Sequence, residues 1–262
     1  MIVILLVTGS TLKAQELYVN TEPASNMATG AIGFRLTNTL VPLNSRLALR
    51  TSPEVMFGVS RHLMLHLSLY GSDVYQPAFR FEGVNIYGKY RILALDEAQK
   101  HFRIAAYVRL SLIRDPVSFR ELNLQGDNSG AAGGLVFTQL IHKLAFSAST
   151  DLTRAVNNLN SPWPAGTARS QLGYTLSAGY LLLPRTYTSY RQTNINLYLE
   201  LLGKSGFARA GSYLDMAPAV QFIFNSKTRI DLSYQHQLTG NLTRLSAQTY
   251  LIRLEYNIFN AF

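Results

Sequence analysis

The chain has no cysteine among its 262 residues, so it has no disulfide framework, no thiolate metal site and no cysteine nucleophile. Charge is sparse: Asp, Glu, Lys and Arg make up 15% of the residues against 47% hydrophobic, a balance that excludes a disordered polyelectrolyte. Long apolar runs are missing too. After residue 15 the longest wholly apolar stretches cover only a few residues, such as Tyr180 to Pro184, so no transmembrane helix is encoded. Neither a Walker loop nor a dinucleotide-binding motif is present, and no cofactor is implied. The net charge of +9 invites a nucleic-acid reading, but the basic residues are scattered singly, with no run, stripe or recognition motif. Nucleic acid is therefore not an expected partner. The length permits one large domain or two small ones.

Residues 1–15, MIVILLVTGSTLKAQ, hold a short apolar run from Ile2 to Val7 followed by small and polar residues. This reads as a secretory signal peptide cut near Ala14 or Gln15, although the usual positive n-region is missing. The following segment, 16–30, is polar with a proline. It is expected either to dangle as a periplasmic tail or to enter the domain that follows as a partial plug.

From residue 31 the dominant signal is a period of two. In FRIAAYVRLSL (102–112), Phe102, Ile104, Ala106, Val108, Leu110 and Leu112 share one face, and Arg103, Tyr107, Arg109 and Ser111 share the other. The same alternation gives about twelve segments: 31–41, 47–58, 62–71, 79–93, 102–114, 130–140, 143–153, 171–183, 193–204, 213–225, 228–239 and 248–261. Each approaches the ~10 residues a tilted strand needs to cross an outer membrane. Links after even-numbered strands are mostly short, those after odd-numbered strands mostly long; 42–46 and 184–193 are exceptions. Where the phase can be read, the apolar face carries no Asp, Glu, Lys or Arg: Leu63, Leu65, Leu67 and Leu69 in one strand, Ile195, Leu197, Leu199 and Leu201 in another. A charge facing lipid costs about 2 to 4 kcal/mol, whereas the wet face of a soluble sandwich tolerates one. The expected fold is therefore an all-β transmembrane antiparallel up-and-down barrel of about twelve strands over residues 31–262, with a soluble sandwich or lipocalin-like barrel as the alternative. Two strands are irregular: the fourth needs a bulge near Glu82-Gly83 to restore its phase, and the sixth, SGAAGGLVFTQL, is too glycine-rich to assign an inward face.

The last residues, TYLIRLEYNIFNAF, end on Phe262 with Ile258, Tyr256 and Leu254 in step behind it. This ending resembles the terminal strand signal of Gram-negative outer-membrane barrels, which implies that Phe262 is an assembly signal read by the barrel assembly machinery. More loosely, residues 31–262 resemble the small Bacteroidota barrels grouped with the MetA-pathway phenol-degradation or transporter-like family. The resemblance implies the cell outer membrane as location, with the lipid bilayer and lipopolysaccharide as surroundings.

If the apolar sets face lipid, the opposite face includes Arg46, Arg50, Glu54, His66, Lys89, Arg91, Arg103, Arg109, Glu200, Arg229, Arg253 and Glu255. Arginine predominates, and cationic rings in a low-dielectric tube favour anions. The expected function is a narrow channel or transporter for small anionic or polar solutes. The alternative is that arginines such as Arg50, Arg91, Arg109 and Arg253 pair with Glu54, Asp231 and Glu255 and fill the interior, leaving a structural or adhesion barrel. A basic and aromatic outer surface is expected from loop residues Phe119, Arg120, Arg154, Trp163, Arg169, Phe207 and Arg209.

An enzymatic reading rests on His66 and Ser68, whose His-x-Ser spacing resembles outer-membrane phospholipases, with Ser68 as nucleophile and His66 as base. That pattern continues with Asn-Gly, and here Leu69-Tyr70 stands in its place. The pair also lies opposite the four leucines, facing inward rather than towards lipid. A protease would need clustered rim carboxylates, and only Asp73, Asp115, Glu121 and Asp127 are near the rim. A metal site is not expected either, because His62 and His66 lie about 13 Å apart on a strand.

Overall fold

The computed structural model describes residues 18–43, 46–97, 100–186, 189, 191–207 and 210–262; the expected signal peptide, residues 16 and 17 and Arg209 lie outside them. Twelve strands run in chain order: β1 (Ile32–Pro42), β2 (Leu47–Gly58), β3 (Leu63–Ser72), β4 (Arg80–Glu97), β5 (Lys100–Ile113), β6 (Gly130–Ile141), β7 (Leu144–Ala155), β8 (Ser170–Leu183), β9 (Asn194–Gly206), β10 (Ser212–Phe224), β11 (Thr228–Gly240) and β12 (Gln248–Ile258). Every neighbour in sequence is a neighbour in the sheet, and β1 closes antiparallel on β12 with Phe34 opposite Tyr256 and Leu36 opposite Leu254. Closure leaves no unpaired edge among the described strands, the condition for crossing a bilayer with strands.

Alternation sets which side chains meet lipid. The outward phase of β3 is the leucine set 63, 65, 67 and 69, with Leu67 and Leu69 each about half exposed, and β12 likewise presents Tyr250, Ile252, Leu254, Tyr256 and Ile258. Among the described residues, charge reaches this outward phase only near strand ends, as at Arg154 and Lys100. The result is an apolar belt around a closed wall, the opposite of a soluble protein's surface.

The two irregular strands resolve as local departures from the pleat. Tyr70 pairs with Gly83 and Gly71 with Phe81, so the extra residue is Glu82, turned inward and fully buried. In β6 the buried phase is Ala132, Val136, Thr138 and Leu140, with Gly134 between. The β4–β5 hairpin is longer than alternation suggests, since β4 continues to Glu97 past a second bulge between Arg91 and Leu93.

The hairpin links at one end of the barrel are short, apart from 184–193 between β8 and β9. The β10–β11 link is a tight turn in which Asn225 and Ser226 both take positive φ and Lys227 N donates to Phe224 O at 3.0 Å, the geometry that matches strand twist. The chain leaves β12 at the same end, where Ala261 N donates to Gly30 O at 2.7 Å. β12 itself stops at Ile258 and Asn260 adopts φ 54°, so Phe262 does not continue the ladder and the expected register of Phe262 with Ile258 is broken. The opposite end carries the long loops.

Candidate functional site

The inward residues of β11, β12, β1, β2 and β3 form a ladder of opposite charges, because antiparallel register sets them directly across from one another. Arg35 faces Glu255 on one side and Glu54 on the other; Arg229 faces Glu255, and Asp231 faces Arg253. Arg35 Nε donates to Glu255 at 2.8 Å and Nη1 to Glu54 at 2.9 Å, while Arg229 reaches Glu255 at 2.9 Å and Asp231 at 3.1 Å. Arg253 lies 3.6 Å from Asp231. Such pairs contribute little net stability against a packed apolar wall, but removing one member strands a buried charge.

Residues 18–30 lie inside this wall at the short-turn end. Glu200, fully buried on β9, receives the segment: Oε1 accepts from Val19 N at 3.1 Å and Asn20 N at 2.8 Å, and Oε2 from Thr21 N at 2.9 Å and Thr21 Oγ1 at 2.7 Å. Arg253 donates to Val19 O at 2.6 Å. Further along, Ala24 N donates to Thr138 on β6 at 2.9 Å, and Lys89 on β4 donates to Pro23 O at 2.6 Å and Ser25 O at 2.8 Å. Glu22 adds a third bond to Arg35, at 2.9 Å. The segment thus passes from β8–β9 to β2–β3, where Gly30 N donates to Gly58 O at 2.8 Å. Gly58 has no room for a side chain, because a Cβ there would sit 1.9 Å from Ala28 O.

A second crossing closes over the long-loop end. The β5–β6 loop, 114–129, turns inward instead of outward. Leu122 N donates to Gln171 at 2.9 Å, Lys204 Nζ donates to Leu122 O at 2.7 Å and Glu121 at 3.0 Å, and Tyr213 donates to Glu121 at 2.7 Å. On the far wall Asn85 donates to Leu124 O at 3.2 Å, and Arg50 donates to Asp127 at 2.7 Å. Gly126 takes φ 114° beside Arg50, whose guanidinium would lie within 3.0 Å of a Cβ. Trp163, expected on the outer surface, instead packs with Leu122 and Ala155 beneath this loop and is 6% exposed.

Between the two crossings lies a cavity of about 410 Å³, bounded at one side by Val19 to Glu22 and at the other by Glu121 to Gln125. Of the twelve inward residues expected from sequence, Arg50, Glu54, His66, Arg109 and Arg253 line it. Lys89, Arg103 and Glu200 are buried against the N-terminal segment, Arg103 through Ser25 at 2.8 Å. Arg229 and Glu255 are buried in the charge ladder. The remaining two do not line the cavity: Arg46 precedes β2 and pairs with Asp73 at 2.9 Å, and Arg91, at the second β4 bulge, is bonded through its backbone to His62 O at 2.7 Å. Arg50 pairs with Glu82 and Asp127 rather than Glu54, because i and i+4 on a strand are about 13 Å apart.

The catalytic pair does not form. Ser68 donates to Glu54 Oε2 at 2.6 Å, and His66 Nδ1 lies 3.3 Å from Glu54 Oε1, so both turn to a carboxylate and no His66–Ser68 hydrogen bond exists among the described residues. The rim carboxylates are dispersed in the same way: Asp115 pairs with Arg80, Glu121 with Lys204 and Asp127 with Arg50. No group of His, Asp and Glu suited to a metal occurs among the described residues.

No family model and no curated protein matches this chain. Solved structures do. The chain is similar to the COG4313 outer membrane channel from Pseudomonas putida F1 at 11% identity and TM-score 0.59, covering 92% of this chain and 100% of that one. It is similar to the NanC porin at 12% identity and TM-score 0.52, covering 85% and 98%. The KdgM porin, solved in complex with disordered oligogalacturonate, matches at 9% identity and TM-score 0.51, covering 86% and 98%. At these identities the likeness is one of fold: the chain is a twelve-strand barrel of the outer-membrane type.

Proposed function

We propose that the protein is an outer-membrane channel or transporter for small polar or anionic solutes, narrowed at both ends by its own chain. The observation that carries the reading is the cavity of about 410 Å³ held inside a lipid-compatible barrel and lined in large part by polar side chains. A merely structural barrel has no need to leave that volume unfilled, since side chains alone can fill a small barrel. The likeness in fold to a channel and two porins supports the same class, as does the resemblance of strand pattern and ending to the MetA-pathway and transporter-like barrels. Residues 18–30 then act as a periplasmic partial plug, the β5–β6 loop as an extracellular constriction, and Phe262 as the mark for the assembly machinery.

Most arginines that line the cavity are neutralised by a carboxylate, so selectivity falls to the lining cation that is not. A second reading, a plugged structural or adhesion barrel without transport, draws on the same two crossings. Planar bilayer recording of refolded protein separates the two. The channel reading expects a small conductance with anions favoured over cations, which rises when the N-terminal segment is released by Glu200→Ala. Silence of both proteins in every salt would leave the structural barrel.

A further inference from the structure

One cation lining the cavity has no carboxylate partner among the described residues. Six Lys and Arg side chains line it: Arg35, Arg50, Arg109, Lys204, Arg244 and Arg253. Five of them have a carboxylate within 4 Å, Arg244 through Asp215 at 2.7 Å. Arg109 has none among the described residues. Its guanidinium carbon instead sits 5.0 Å from the centre of the Tyr87 ring. A planar guanidinium resting on a ring keeps its in-plane N–H edge for a second, bidentate partner.

The surroundings are built rather than accidental. Register sets Tyr87 directly opposite Arg109, with Tyr107 two residues before it on the same face of β5. The Tyr87 ring lies 5.5 Å from Tyr107 and 5.0 Å from His66, and Tyr70 also lines the cavity. Two polar atoms in this group, the Tyr87 hydroxyl and His66 Nε2, are buried without a hydrogen-bond partner among the described residues, on residues 3% and 2% exposed. Groups left so in a native interior are costly unless something else satisfies them. On the next strand, Ala132 stands opposite Arg109 and lines the cavity with no more than a methyl group, while the place beside Gly134 is taken by Tyr107 and Asp151.

We propose that Arg109, with Tyr70, Tyr87, Tyr107 and His66, forms a binding site for a small organic carboxylate inside the lumen. The carboxylate takes the guanidinium edge, and the rest of the ligand lies against the tyrosine rings in the space that Ala132 leaves. The cavity volume falls within the range of small-molecule sites, about 300 to 1,000 Å³. The inference rests on the lumen being a solute path, but its test does not require conduction.

Isothermal titration calorimetry on the full refolded barrel in detergent, with benzoate, acetate, sulfate and benzyl alcohol as probes, reads binding whether or not ions pass. A silent bilayer with positive calorimetry would refute the channel and keep the site. Benzoate should bind saturably, acetate and sulfate more weakly, and benzyl alcohol not measurably. Arg109→Met should weaken benzoate about ten- to a hundredfold, the factor expected from losing charged hydrogen bonds. Ala132→Leu, which fills the space without touching the charge, should weaken it as well and keeps the test open should the arginine variant not fold. Benzoate binding unchanged in either folded variant, or equal binding of benzyl alcohol or sulfate, overturns the assignment, as does no benzoate binding at millimolar concentration.

Discussion

Replacing Glu200 by alanine tests whether the N-terminal segment is held in the lumen by one buried carboxylate. Its two oxygens accept four bonds from residues 19 to 21, at 2.7 to 3.1 Å, and Asn20 Nδ2 adds a fifth at 3.1 Å. A hydrogen bond to a charged group is worth about 1.5 to 3 kcal/mol, and bonds sharing one acceptor are not additive. Counting only the two shortest, Thr21 Oγ1 and Asn20 N, gives a loss of about 4 kcal/mol, and the backbone donors left without partners add to it. Since 1.4 kcal/mol is a factor of ten, local release of residues 19–21 should become about 10³-fold more frequent, whatever its starting frequency. Amide hydrogen exchange by mass spectrometry reads this ratio directly, with the barrel strands as internal control. The variant should lose protection at residues 19–21 while the strands keep theirs. Unchanged protection there, in a barrel still intact, would refute the view that Glu200 is the anchor.

Three further outcomes follow from the same geometry. Lys89→Met removes donors to Pro23 O and Ser25 O and should raise protease access to residues 22–25, by less than Glu200→Ala because Ala24 keeps its bond to Thr138; equal resistance to wild type would contradict it. Leu254→Arg places a charge on the lipid face and should cost about 2 to 4 kcal/mol in urea refolding into vesicles, whereas the same charge at lumen-facing Thr175 should cost well under half of that; equal costs would mean the faces are misassigned. Burial, reinforced by Glu82, pushes the Asp115 carboxyl up to about 7, against the opposing pull of Arg80 and Arg50. The folded chain holds this proton more tightly than the unfolded one, so its contribution is present below about pH 4 and is lost as pH climbs through 7. The midpoint of unfolding should fall from pH 5 to pH 8 in wild type and flatten in Asp115→Asn, and parallel profiles would remove Asp115 as the cause.

Period-two alternation made the wall legible because lipid enforces it: a single charged residue out of phase on β3, β5 or β12 would face hydrocarbon, so the pattern is written without exceptions at mid-strand. It also located the bulge at Glu82, since only an extra residue carries Phe81 and Ile86 to the same side. What alternation does not carry is the partner of each inward charge. Arg50 and Glu54 share a face and a strand, but their separation along it forbids a bond, and the partners come from β4 and from a loop 77 residues away.

The lumen fillings left even less trace. Segments 18–30 and 114–129 have no period, because neither forms a strand, and their hydrogen bonds reach residues as far as 234 positions distant. The signals that would have marked them are chemical: Leu122 and Leu124 are apolar in a loop that would otherwise face water, and Glu200 is a carboxylate on the inward face with no cation opposite it in the ladder. An inward carboxylate that lacks a cation needs another source of donors, and a chain segment rich in free backbone N–H groups is the natural one. The converse holds for Arg109. An inward cation that lacks a carboxylate needs an acceptor, and where the protein supplies none, the candidate acceptor is a solute.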